Sequence, residues 1–477
     1  MKTSKNKAIN GIAWSTIERF SVQGVQFIVS IILARLLTPT DFGLVAIVVV
    51  FSTIFQTINE SGFNLALIHK LDRDDVDYST VFYSNIAIGV ISYLLLFFIA
   101  PFLADFYGAE SFTMVMRIQS LTLIVNAFGL VQTAKYTINV DFKTLARASL
   151  IAAIVSGMIG IIFAYIYHNV YAIVLQSLLY SLVYVFLMWA YSKWRPKIVF
   201  STKRFKGLFD YAYKLIFARL ISVVFEDIYS LAIGKLYTPS VLGLYNRASA
   251  FTNISSRNII GSVQRVSTPM LCQAQKSNVD MQAVLLRFIS STALIVYPIL
   301  AGLMVLAEPL VQVILGSKWS GASIFIYFTC PIGFFYLIST FNRNVFNATG
   351  RTGWALKAEI IKKMIFVGVF LLTMRFQIEI LLIGLIAISI IEMIVDTYFT
   401  YRQIGTTLLF QLKSLLPIIL SSLIMAVVVG FTESLFSNNL AKLFVGSIVG
   451  LVVYLLICYF FNICGIKDQI NINNKIC

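Results

Sequence analysis

Charge is scarce in this chain: 12% of its 477 residues are Asp, Glu, Lys or Arg, while 59% are hydrophobic. Soluble domains carry about 25% charged residues, so two or three soluble domains are excluded, and a mean hydropathy of +0.86 points to a membrane. Cysteine is also sparse. Cys272, Cys330, Cys458, Cys464 and Cys477 form no CxxC pair and fall in no external loop, which predicts neither a disulfide nor a metal site. Only two histidines occur, and His69 and His168 fall at helix ends, where they read as solvated interface residues. No GxxxxGK[ST] is present, so this chain does not hydrolyse ATP, and no cofactor is predicted.

What is abundant is apolar sequence in runs. A hydrocarbon core about 30 Å thick takes about 20 residues of helix to cross. Apolar runs and polar breaks place fourteen spans near 11–36, 42–64, 80–104, 112–134, 146–167, 171–192, 208–236, 241–264, 284–307, 321–342, 354–374, 378–401, 412–432 and 440–464. The expected class is an all-α polytopic membrane protein. No stretch is left for a sizeable soluble domain, which weighs against an anchored ATPase, a glycosyltransferase with a nucleotide-sugar domain or a DNA-binding factor. Lys2, Lys5 and Lys7 precede the first run as in a signal peptide, but Glu18 and Arg19 interrupt it and it continues to Leu37, so it reads as the first span.

Basic residues outnumber acidic ones, 37 to 21. With a cytoplasmic N-terminus, 26 of the 37 fall in inner connections and their edges, among them Arg343, Arg351, Lys357, Lys362 and Lys363, while outer ones hold Lys318, Arg375 and Lys442. The positive-inside rule then puts both termini in the cytoplasm. The net charge of +16 is thereby a matter of topology and predicts no nucleic-acid partner. Outer loops are short, the longest running from about Glu308 to Ser320.

The chain repeats itself at an offset of 200. Segment 19–54 matches 219–254 without a gap at ten positions, including Thr38/Thr238, Pro39/Pro239 and Gly43/Gly243. Six spans separate the copies, so they cross the membrane in the same direction. The prediction is two parallel six-helix lobes, residues 1–192 and 208–402, joined by a basic linker, 193–207, with two further helices and a tail in 403–477. The linker mixes Lys193, Arg195, Lys197, Lys203, Arg204 and Lys206 with Trp194, Ile198, Phe200 and Phe205. Its basic residues either follow the inner-surface bias or bind anionic headgroups.

Intramembrane ionisable residues are the candidate site, because each costs about 2.5–3.5 kcal/mol at a lipid-facing helix centre. Arg35, Arg117, Lys214 and Lys235 lie near helix ends and snorkel. Arg19, Arg219, Arg247 and Arg257 do not. Arg19, Gln23, Gln26 and Ser30 share one helical face, as do Arg219, Ser222, Glu226 and Ser230 with Asp227 alongside. Asn59 and Glu60 extend the polar set onto the second helix. Such stripes line either a packed interface or a water-filled cavity. Guanidinium groups bind phosphate oxygens in bidentate fashion, so the arginines predict an anionic, phosphorylated substrate; the alternative is that Glu18, Glu226 and Asp227 neutralise them as structural pairs. Glu60, Glu226, Asp227, Glu392 and Asp396 are candidate proton or Na⁺ carriers, with Glu226 and Asp227 ranked first beside Arg219.

The segment ILARLLTPTDFGLVAI, the downstream ESGFNLALI (60–68) and the second copy LYTPSVLGLYNRA (236–248) resemble the polysaccharide transporter family, the Wzx-type flippases of the multidrug/oligosaccharidyl-lipid/polysaccharide exporter superfamily. That resemblance implies two six-helix lobes around a basic central cavity and no enzymatic activity. It further implies transfer of an undecaprenyl-pyrophosphate-linked oligosaccharide across the bacterial inner membrane by alternating access, for lipopolysaccharide, capsule or exopolysaccharide synthesis. A polysaccharide polymerase complex is an implied partner beside membrane lipids. In that picture Arg19, Arg219, Arg247 and Arg257 hold the pyrophosphate, Gln23, Gln26, Asn59 and Ser222 line the cavity, and the two last helices form a groove for the polyprenyl tail. The rival readings are a drug or metabolite exporter of the same superfamily, which needs an acidic or aromatic cavity, and a membrane-embedded polymerase, against which the repeat and the short outer loops argue.

Overall fold

A computed structural model describes residues 21–463 apart from 61–63, 71 and 278; Arg19 lies outside the described residues. The described chain is helical, without a strand. It forms α1 (Ser21–Leu36), α2 (Pro39–Asn59), α3 (Leu65–His69), α4 (Asp75–Tyr107), α5 (Phe112–Ile138), α6 (Phe142–Tyr167), α7 (Tyr171–Tyr191), α8 (Thr202–Leu236) and α9 (Pro239–Ser255). The chain continues through α10 (Arg257–Lys276), α11 (Met281–Val305), α12 (Ala307–Ile314), α13 (Ala322–Thr349), α14 (Thr352–Thr373), α15 (Ile378–Ile404), α16 (Leu408–Ser434) and α17 (Asn439–Phe460). Ten of these are long and apolar enough to cross a membrane. The remaining predicted spans correspond to α1, α8, α9 with α10, and α14. Large apolar side chains such as Phe98, Phe102, Leu372 and Val427 are exposed along the long helices, as lipid-facing surfaces require.

Local chemistry sets the helix ends. Thr38 caps α2: its hydroxyl accepts from the Asp41 amide while the Asp41 carboxylate accepts from the Thr38 amide at 2.9 Å, and Pro39 takes the first turn, where no N–H is needed. The second copy keeps the break and the proline at α9. Its cap is simpler, with Thr238 Oγ1 accepting from the Val241 amide at 3.3 Å, because valine stands where Asp41 does in the first copy. His168 ends α6 with φ 50°, a left-handed C-cap.

Two sequence expectations, the span 241–264 and the connection around 308–320, change in detail. The predicted span 241–264 is two helices broken at Ser256, whose hydroxyl donates to the Thr252 carbonyl at 2.6 Å while its amide donates to the same oxygen at 2.9 Å. Such back-bonding bends a helix. Pro298 and Pro331 lie inside α11 and α13, which run through them unbroken. The connection around 308–320, expected as a loop, is folded, with α12 and a turn of 3-10 helix that buries Trp319 completely.

The contacts divide the chain into two compact units, residues 1–243 and 244–477. In the first, small residues let helices approach closely, the usual means of packing in a membrane. A Cβ on Gly157 of α6 would come within 2.5 Å of Val29 in α1, and one on Gly160 within 2.7 Å of Gln176 in α7. The closest approach joins the two copies of the repeat: a Cβ on Gly43 would lie 1.6 Å from the Pro239 carbonyl oxygen, and one on Gly243 would lie 1.9 Å from that of Pro39. The linker is strapped to the start of α4. The Lys197 amide donates to Ser79 Oγ at 3.0 Å, the Ser201 amide to Thr80 Oγ1 at 3.2 Å, and Trp194 is buried beside Tyr78 and Phe82.

Candidate functional site

The sequence candidates fall in both units. In residues 1–243, Gln23 is half-buried and Gln26 exposed on α1. Glu60 ends α2, exposed, and its carboxylate accepts from Gln56 Nε2 at 2.6 Å. On α8, Arg219 pairs with Glu226 at 3.5 Å, both about half exposed, while Ser222 Oγ donates back to the Ala218 carbonyl and Asp227 is half-buried. The structure therefore brings together Arg219 and Glu226 of the predicted set. Guanidinium has five donors, so this single contact leaves donors on Arg219 for an anion.

Asn59 is fully buried, and neither its amide nitrogen nor its amide oxygen has a hydrogen-bond partner among the described residues. Asn85 on α4 and Gln132 on α5 share both properties. Gly89, one turn beyond Asn85, approaches the Asn59 amide, since a Cβ there would lie 3.5 Å from Nδ2. Amides left dry in low dielectric cost several kcal/mol each, so these three mark polar interior space. Sequence reading singled out Asn59 alone, because an isolated Asn or Gln in an apolar run carries no partner signal.

In residues 244–477, Arg247 is half-buried on α9. Arg257 opens α10, exposed, with its guanidinium 4.9 Å from the centre of the Tyr336 ring. Two further features of this unit stand out, the first not anticipated as a site and the second beside the helices where a tail groove was expected. One is an ion cluster: Lys362 Nζ on α14 lies 3.0 Å from Asp396 Oδ1 on α15 and 2.6 Å from Glu359 Oε1, and Ser339 on α13 donates to Asp396 at 2.5 Å. Lys362 is thus a buried helix residue, whereas the charge pattern assigned it to an inner edge; Asp396 was only one of several candidate carriers. The other is an apolar cavity of about 450 Å³ lined by α11, α12, α16 and α17, with Ile299, Gly302, Met425, Val429, Gly446 and Tyr454 among its walls.

At the start of α4 the linker's basic residues have defined partners. Lys197 Nζ lies 2.8 Å from Asp75 Oδ2, and Arg204 bonds Asp74 and lies 2.9 Å from Asp77, which Lys70 also holds at 2.8 Å. The Asp77 amide, then the Arg204 guanidinium, hold the Asp74 carboxyl below the usual carboxylate range, while Asp75 holds the Lys197 ammonium above its ordinary value. Two of the linker's six basic residues, Lys197 and Arg204, are paired with carboxylates in this strap, and Ile198 is 97% exposed.

A family model described as "Polysaccharide biosynthesis protein" matches residues 32–324. The chain belongs to that family. Among its relatives, the teichuronic acid biosynthesis protein TuaB of Bacillus subtilis (strain 168) is 23% identical over 365 residues, covering 74% of each chain. The lipopolysaccharide biosynthesis protein WzxC of Escherichia coli (strain K12) is 20% identical over 365 residues, 76% of this chain and 74% of WzxC. Among solved structures, the lipid II flippase MurJ in an inward closed conformation matches with a TM-score of 0.74 at 17% identity, over 96% of this chain and all of that one. The fold is accordingly that of these polytopic helical transporters, and the resemblance drawn from the Thr-Pro segments holds.

Proposed function

We propose that this family member is a flippase, which moves an undecaprenyl-pyrophosphate-linked oligosaccharide across the bacterial cytoplasmic membrane for surface-polysaccharide synthesis. The observation that carries the reading is the apolar cavity of about 450 Å³ at α11, α16 and α17. Its size lies in the ligand-pocket range of about 300–1,000 Å³, and its walls offer a polyprenyl chain contacts that sugars and phosphates cannot use. Arg219, Arg247 and Arg257, with Arg19, supply the complementary chemistry for the pyrophosphate, since charge-assisted contacts strengthen where water is excluded. Membership of a polysaccharide family and the fold shared with a lipid II flippase support the same substrate class.

In this reading the lobes 1–192 and 208–402 alternate access, with residues 193–207 on the cytoplasmic face and both termini inside. Gln23, Gln26 and Ser222 face the sugars, whereas Asn59, fully buried, does not, and Glu60, Glu226 and Asp227 are carriers of a coupling ion. The test is flipping of a fluorescent undecaprenyl-pyrophosphate oligosaccharide in liposomes by Ser447→Trp, which fills the apolar cavity, and Arg257→Ala. Both are expected to fold and to flip about tenfold more slowly, the kinetic equivalent of about 1.4 kcal/mol. Wild-type rates in both variants would remove tail and anion sites alike, and export of a cationic dye in place of flipping would favour the exporter reading.

A further inference from the structure

Apolar and aromatic side chains lie exposed where the linker enters α8, and neither the strap onto α4 nor the anion-site reading makes use of them. Ile198, Val199 and Phe200 are consecutive and all exposed. From Phe200 the rings continue in a file: Phe200 lies 5.9 Å from Phe205, Phe205 5.9 Å from Phe209, and Phe209 6.0 Å from Tyr213, centre to centre. The last three recur at every fourth residue, one face of α8, and Phe209 and Tyr213 stand exposed along it. Phe205 packs against the buried cluster that holds Trp194 and Leu208, which fixes the file in place.

The charge around this file is of one sign. Residues 193–214 hold seven basic side chains and one acidic, Asp210. Lys197 and Arg204 are held by carboxylates of α4, and Arg195 donates to the Ser192 and Trp194 carbonyls at 2.6 and 2.9 Å. Lys193, Lys203 and Lys206 are exposed and pair with no carboxylate among the described residues. Lys214, also exposed, has its ammonium 5.7 Å from the centre of the Tyr213 ring.

Helix length sets the depth of this surface. With 35 residues, α8 is about 52 Å long at 1.5 Å per residue, whereas the hydrocarbon core is about 30 Å thick, so about 15 residues stand outside it. The sequence selects the end. Five of the residues 202–214 are charged, Lys203, Arg204, Lys206, Asp210 and Lys214, while 215–236 is as long as one span. The file from Phe200 to Tyr213 therefore lies at headgroup level, where aromatic side chains concentrate.

We propose that residues 193–214 form a docking surface for the anionic phospholipids of the leaflet beside the linker. Ile198, Val199, Phe200 and the rings of α8 sit among the upper acyl chains, and the four unpaired lysines take the phosphates. Contiguous exposed apolar side chains mark an interaction surface, and a basic and aromatic one suits the membrane interface. The topological bias of basic residues accounts for the lysines but not for a stacked file of rings beside them. Neutral headgroups would accommodate the rings and leave the excess charge unmatched, whereas each basic residue near an anionic surface favours it by about fivefold.

This surface needs only a membrane and does not rest on the flippase reading. The test uses the full chain carrying Ile198→Trp in vesicles of phosphatidylglycerol and phosphatidylcholine in equal parts. One lipid or the other is brominated on its acyl chain near the headgroup, so that charge and bromine content are the same in both. Emission of the added tryptophan, taken as the difference from the parent chain, is expected to be quenched about twofold more strongly by brominated phosphatidylglycerol. In Ile198→Trp/Lys203→Gln/Lys206→Gln, and in high salt, the two labels are expected to quench equally. Phe200→Trp reports from the file itself and decides the matter if Ile198→Trp does not fold. Equal quenching by both labels before the lysines are changed, no quenching by either, or a preference that survives the loss of both lysines overturns the proposal.

Discussion

Lys362 and Asp396 show how a single pair of residues acquires meaning only from its surroundings. Removing one partner of a buried pair leaves the other uncompensated, at a cost of about 3–5 kcal/mol. Lys362→Met is therefore expected to unfold at a clearly lower temperature in detergent, and the double variant Lys362→Met/Asp396→Leu to recover most of the loss. A double variant no better than the single one would show that the pair does not act as a unit. In the sequence Lys362 reads as an inner-edge cation and Asp396 as a lone acid one turn from Glu392. Nothing local ties them, since their meeting depends on how α14 packs on α15. Arg219 and Glu226 were legible because both lie on one helix, seven residues apart.

Helices and their junctions were more legible than side-chain partners. Apolar runs located the spans, and the 200-residue offset located the two helix breaks at Leu36 and Leu236, where Thr-Pro stops one helix and starts the next. What the repeat did not reveal was why glycine stands at 43 and 243: each faces the other copy's proline carbonyl at a distance no Cβ can share. Gly43→Val or Gly243→Val is expected to prevent that approach and to lower the yield of folded protein by size-exclusion chromatography; normal yield from both would contradict it. The bend at Ser256 was invisible for a related reason, since a serine in an apolar run does not announce that it bonds back to Thr252.

The strap between the linker and α4 gives this scale a pH dependence. Asp74 is depressed in the folded protein, so its contribution is present above its unfolded value and is lost as pH falls through the folded one. Lys197 is raised, so its contribution is present below its unfolded value and fades only as pH rises through the folded one. Hydrogen exchange at the Lys197 and Ser201 amides, corrected for intrinsic rate, is expected to be slowest between those limits and to accelerate in acid. Equal protection at every pH would mean that Ser79 and Thr80 hold the strap without the ion pairs.

For the whole molecule, composition and the apolar runs were enough to give a polytopic helical protein, and the Thr-Pro segments gave the family, because both depend on many residues read together. The apolar cavity is less legible at this scale: it is assembled by helices more than a hundred residues apart, and its lining reads as any other apolar span. Movement of a lipid-linked oligosaccharide between leaflets by this chain, the function proposed above, can be measured directly. The direct measurement is the fraction of a fluorescent undecaprenyl-pyrophosphate oligosaccharide accessible to a membrane-impermeant quencher, in vesicles with and without the purified protein. If the chain is a flippase, accessibility rises from about half to nearly all the lipid within the time that protein-free vesicles stay at half; the same plateau in both would show that it is not.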